Sequence, residues 1–163
     1  DDYNIRCRKK GGFYLPNPPR DSLVFKTNSG KANFVSHKLL PISVMRGSFL
    51  MMTIRSHDQY NTTIYSTSDR YRGIRGGRRI VLMNKNDMVA NGWEEYQKVT
   101  ITSHFEGKEI SSNGWGVLQY DIPEGNVATY FPESNVLIPL DSVADRSNTP
   151  TSKSVVVTIT PMG

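Results

Sequence analysis

A mainly β domain, either a barrel or a sandwich, is what this 163-residue sequence predicts. Three observations carry that expectation. Apolar residues come in short runs bounded by Gly, Asn and Pro, not at helical spacing over long windows. Thirteen glycines and nine prolines are spread along the chain, and helix interiors tolerate neither well. The candidate strands recur at intervals of about ten residues, the rhythm of small all-β folds. The length suits one domain with a real core better than two small ones.

Residues 1–22 are polar and rich in Gly and Pro, and Leu15–Pro19 reads as an extended lead-in. Leu23–Thr27 and Ala32–Ser36 flank a turn at Asn28–Gly30, so 23–36 predicts a β-hairpin opening a domain that runs over 23–163. Phe49–Arg55 and Ile80–Met83 are continuous apolar runs and predict buried strands. Residues 66–79 between them predict a loop. Asn84–Gly92 is the clearest helix: Asn84 as cap, Asp87 in a capping box, Met88 and Val89 turned inward, and Gly92 as the left-handed stop. Strands are then predicted at 98–103, 108–112, 117–121, 127–131 and 155–160.

The net charge of +5 favours an anionic partner without specifying one. Cys7 is the sole cysteine, which excludes an internal disulfide and any cysteine-based metal site and favours a reducing, cytoplasmic setting. No apolar run approaches the roughly 20 residues that span a bilayer, so no membrane partner is expected. The opening residues show no targeting pattern and read as a boundary inside a longer protein. His37, His57 and His104 stand at no metal-ligand spacing, and there is no nucleophile elbow, P-loop or Rossmann glycine fingerprint. With nothing to hold an active metal, the isolated chain is expected to lack redox activity.

Three stretches merit a ligand-binding reading. Arg55–Thr63 places guanidinium, hydroxyl and amide groups directly after a buried strand, a rigid base suited to phosphate, ribose and base edges. Arginines at 70, 72, 75, 78 and 79 offer a nucleic-acid or phosphate surface, and equally a solvated loop. Residues 130–153 form a long connection whose Asn135, Asn148, Thr149 and Lys153 suit a polar ligand.

Taken in order, Phe25–Lys31 (FKTNSGK), the strand ending in Arg55, Gln59–Thr62 (QYNT), Asn84–Trp93, Lys98–Ser103 (KVTITS), Tyr130–Leu137 (YFPESNVL) and Thr149–Ile159 (TPTSKSVVVTI) resemble the C-terminal molybdopterin-dinucleotide-binding domain of the dimethyl sulfoxide reductase family. The likeness covers nearly the whole chain and is nearest the formate-dehydrogenase-like alpha subunits. It implies a six-stranded double-psi β-barrel with a few short helices. It also implies a share in binding bis(molybdopterin guanine dinucleotide), which holds molybdenum or sometimes tungsten, while the preceding domains of the same polypeptide supply the metal ligand. Where the family usually has Trp-His-Thr-Gly, this chain has Tyr60-Asn61-Thr62-Thr63, and 65–79 looks like an insertion. The expected cofactor contacts are Arg55, Ser56, Gln59, Asn61 and Thr62, with Asn135 and Lys153 carried over from the family's late Asn and Lys positions. Loops 55–63 and 132–153 should then share one rim of the barrel, open and lined with unpaired donors. The rival readings are a basic β-barrel that binds nucleic acid through the 70–79 arginines, and a stand-alone decarboxylase-like barrel self-cleaved at Gly47-Ser48.

Overall fold

The computed structural model of the chain describes residues 2–39 and 41–163, which fall into two compact units, Asp1–Pro41 and Ile42–Gly163. The first unit has two one-turn helices, α1 (Tyr3–Cys7) and α2 (Pro18–Ser22). The second helix corrects the extended reading of the Pro-rich stretch. Pro18 and Pro19 occupy its first turn, where no backbone N–H is needed, and the Asn17 side chain caps it by accepting from Arg20 N. The predicted hairpin over 23–36 is also absent. Its turn forms, with Gly30 N donating to Thr27 O at 3.0 Å, but no strand flanks it. The physical reason is burial: none of the described residues of this unit is buried, and a two-stranded hairpin with no apolar face to cover is marginal.

The second unit is a closed barrel of six strands: β1 (Phe49–Ile54), β2 (Ile80–Met83), β3 (Lys98–Phe105), β4 (Lys108–Gln119), β5 (Asn126–Tyr130) and β6 (Val155–Pro161). Their order round the barrel is β1-β5-β2-β4-β3-β6. Two neighbouring pairs, β1 with β5 and β2 with β4, are parallel, and the others are antiparallel. The expected strands 108–112 and 117–121 are one continuous strand. It carries an irregularity where pairing with β3 shifts between Val99 and Ile101, and Gly114 opposite takes a φ of +81°.

α3 (Lys85–Asn91) lies where expected, between the Asn84 cap and Gly92 at φ +67°. Two details differ. The Asp87 carboxylate accepts from Gly125 N at 2.8 Å, tying the helix to the turn before β5 and not back to its own cap. Val89 faces solvent, so Met88 alone of the pair points inward.

Met51, Val81, Met83, Val99, Ile101, Trp115, Val117, Val127 and Val157 fill the barrel. A second apolar cluster sits on the outer face, built from Ile80, Leu82, Leu118, Ala128 and Tyr130 with Ile74 of the long β1–β2 loop packed over them. β2 is therefore apolar at every position because both its faces are covered: Val81 and Met83 point inward, Ile80 and Leu82 outward. The segment that looked like a loop insertion is the cover of that outer face.

Candidate functional site

Because β1 and β5 are parallel neighbours, their C-terminal ends emerge at the same end of the barrel. β6 runs antiparallel to β1 and so begins there. Three segments meet as a result. Phe131 N donates to Ile54 O at 2.8 Å, and Thr53 N donates to Ser152 O at 2.9 Å. The Lys153 ammonium donates to the Thr53 carbonyl. Between them lies a cleft of about 570 Å³ lined by Thr53, Ile54, Arg55, Phe131, Ser152 and Lys153. The expectation that loops 55–63 and 132–153 share one rim is met at this cleft.

The rim carries two exposed cations. The Arg55 guanidinium stands 5.8 Å from the centre of the Phe131 ring, and Lys153 lies across the same cleft. Ser56 and Gln59 sit behind it and are already engaged. Ser56 Oγ accepts from Arg78 at 2.6 Å. Gln59 Oε1 accepts from Arg78 at 2.7 Å, while Gln59 Nε2 donates to the carbonyls of Phe131 and Asn61, each at 2.9 Å. The expectation of a row of unpaired donors is thus corrected: the first loop folds on itself and offers the cleft chiefly Arg55. Asn61, at φ +54°, and Thr62 lie exposed in the turn that the Tyr60–Ile64 bridge closes. Asn135 is exposed on the 3-10 turn Glu133–Leu137. None of these three lines the cleft.

Of the five arginines at 70–79, four have internal partners, the exposed Arg70 through Asp58 at 3.7 Å and Tyr71 Oη at 3.3 Å. Arg72 pairs with Asp69 at 2.6 Å, and Arg79 donates to Ser112 Oγ at 2.6 Å with its carbon 5.1 Å from the Trp115 ring. Arg78 is 3% exposed. Arg70, Arg75 and Arg79 remain exposed, while Arg72 is half-buried and Arg78 buried. Asp69, 1% exposed, also accepts from Tyr130 Oη at 2.8 Å. Burial alone would push its carboxyl up, but the bonds from Arg72 and Tyr130 outweigh it and hold the carboxyl below the usual range. The same burial, with the Asp69 carboxylate alongside, pushes the Tyr130 phenol well up.

Sequence reasoning missed Phe131, Ser152 and above all Arg78. No local signal singled out Arg78: β2 is buried at every position, so alternation along the incoming strand does not separate Arg78 from Arg79. Among the described residues no group of three or more His, Cys, Asp or Glu side chains stands close enough to hold a metal ion, and no helix is long and apolar enough to cross a membrane.

A sequence model of the family described as Molydopterin dinucleotide binding domain matches residues 49–156, the span from the start of β1 into β6. The chain belongs to that family. Within it, the dinucleotide-binding domain is 45% identical over 166 residues to the "Uncharacterized oxidoreductase Rv2900c" of Mycobacterium tuberculosis (strain ATCC 25618 / H37Rv), covering 99% of this chain and 21% of that protein. It is 39% identical over 167 residues to "Protein YdeP" of Escherichia coli (strain K12), covering 98% of this chain and 22% of that protein. The domain thus spans about a fifth of the length of these relatives. Among solved structures it is similar to Acetylene Hydratase from Pelobacter acetylenicus, with a TM-score of 0.49 and 8% identity over 70% of this chain and 18% of that one.

Proposed function

We propose that this chain forms part of a molybdenum-dependent, formate-dehydrogenase-like oxidoreductase and grips the guanine dinucleotide portion of bis(molybdopterin guanine dinucleotide) in the cleft at the β1–β5 rim. The observation that carries this reading is the pairing, in a member of the dinucleotide-binding family, of two exposed cations with an aromatic face around one cleft of about 570 Å³. The donor set fits the group. Arg55 and Lys153 suit a pyrophosphate, Arg55 as a fork and Lys153 as a point charge. The Phe131 ring suits the face of a planar base.

When bound, the cofactor supplies the redox chemistry, and the protein supplies binding, orientation and electrostatics. In this reading the remaining domains of the same polypeptide complete the site, and the protein works in the cytoplasm, in keeping with a single exposed cysteine. Asn61, Thr62 and Asn135 serve at the outer margin, where the other domains would meet the rim.

The test uses guanosine 5′-diphosphate titrated into the chain and followed by backbone amide resonances. We expect shifts clustered at 53–56, 131 and 152–153. Arg55→Ala and Lys153→Ala should each weaken binding by about tenfold, the loss of one charge-assisted contact. For Arg55→Ala the melting temperature should barely move, since substitutions at exposed sites change stability by about 0.5 kcal/mol or less. Shifts clustered elsewhere, or a longer enzyme that keeps its full molybdenum and guanine content after Arg55→Ala, would sink the reading.

A further inference from the structure

Arg78 is the most heavily committed side chain of the rim. Its Nε donates to Glu133 Oε1 at 2.8 Å, Nη1 to Ser56 Oγ at 2.6 Å, and Nη2 to both Gln59 Oε1 and Phe131 O at 2.7 Å. Of the five donors a guanidinium owns, four are thereby occupied. The rings of Tyr65 and Tyr130 lie 4.2 and 4.7 Å from its carbon. Glu133 balances its charge. One Nη1 hydrogen remains, but Arg78 is buried and does not line the cleft.

Its acceptors, however, come from two different walls. Ser56 and Gln59 follow Arg55 on the β1 exit; Phe131 and Glu133 belong to the β5 exit. Gln59 crosses between them as well, through its bond to Phe131 O. We propose that Arg78 is a positioning residue: a buried strut that fixes the separation of the β1 and β5 exits, and so sets the width of the cleft and the place of Arg55 over Phe131, without touching the ligand. The proposal rests on the reading of that cleft as the dinucleotide site, but its geometric half can be tested without ligand.

The decisive variant is Arg78→Lys. It keeps the charge and cannot reach four acceptors in two walls from one ammonium. In the free chain, amide hydrogen exchange at 56–62 and 131–133 should rise at least tenfold, while the barrel amides of Val99, Val117 and Val157 stay protected. Unchanged exchange at the two exits overturns the strut. If the lysine variant fails to fold, Ser56→Ala and Glu133→Ala each remove one contact and should show a smaller rise confined to the same segments. In the wild-type chain, guanosine 5′-diphosphate should leave the Arg78 Nε–H resonance in place and Arg78→Lys should still weaken binding about tenfold. An Arg78 Nε–H resonance that moves with the titration makes Arg78 a direct anion ligand and overturns the proposal. If the wild-type chain does not bind this probe at all, the dinucleotide reading of the cleft fails, and the exchange result decides the strut on its own.

Discussion

At the scale of single residues, the molecule spends its charge on holding the β1–β2 loop in shape. Asp69 is the clearest instance: a carboxylate 1% exposed, facing Arg72 at 2.6 Å and the Tyr130 hydroxyl at 2.8 Å. Removing its charge leaves Arg72 without its partner in a mostly buried position, which costs about 3 kcal/mol. We expect Asp69→Asn to lower the denaturant midpoint accordingly with an unchanged slope. The pH dependence follows from the depressed carboxyl. A group whose folded pKa lies below its unfolded value, about 3.9 for Asp, contributes its full stability above about pH 4 and loses it as pH falls through the folded value. Stability measured over that acidic window should therefore fall less steeply in Asp69→Asn than in the wild type; parallel curves would mean the pair carries no linkage. None of this was legible beforehand. Asp69 sits in a polar stretch with nothing to mark it as buried, and its partner Arg72 read as one more basic loop residue.

At the scale of elements, the strands and the one sizeable helix were legible because each has an unambiguous local pattern. Phe49–Ile54, Ile80–Met83 and Val155–Pro161 are apolar runs between turns, and Asn84 and Gly92 punctuate α3 at both ends. The failures have physical causes of their own. The 23–36 segment has strand-like residues but no face to bury. β4 was split in two because Asn113-Gly114 looks like a turn, whereas Gly114 only relaxes the register irregularity within a continuous strand. A side chain at position 114 would meet no atom within 4 Å, so its cost is that of the left-handed backbone alone. Gly114→Ala should destabilise by about 1 kcal/mol. The long loop offers a larger effect. Ile74, 1% exposed, seals the outer face of β2 and β5, and Ile74→Ala should cost about 2–4 kcal/mol. A loss under 1 kcal/mol in thermal or denaturant unfolding would show that the loop merely rests on the sheet.

At the scale of the whole domain, strand count and closure into a barrel were inferred by resemblance, but local sequence patterns do not encode the pairing. Whether two strands are parallel depends on contacts between residues some 75 positions apart, such as Leu50 with Asn126, and no local pattern encodes them. Yet that parallel pair is what brings Arg55, Phe131 and Lys153 to one place. Of the expected contact residues, Arg55 and Lys153 line the cleft, whereas Ser56 and Gln59 are bonded to Arg78, which lay hidden among five similar arginines.

The antiparallel pair of β1 and β6 has a consequence of a different kind. These are the first and last strands of the barrel, and Phe49 pairs with Val157 while Met51 pairs with Val155. The chain therefore enters and leaves the barrel at the end remote from the cleft. A pull applied through the two ends of the barrel unit loads this pair as a zipper, opening its hydrogen bonds one after another. The parallel β1–β5 pair would resist the same load in shear, with all its bonds stressed together. Under force the domain should yield first at the β1–β6 seam, and the peeling front must travel the length of β1 before it reaches Thr53 and Lys153, so the cleft is the last part of that seam to feel the strain.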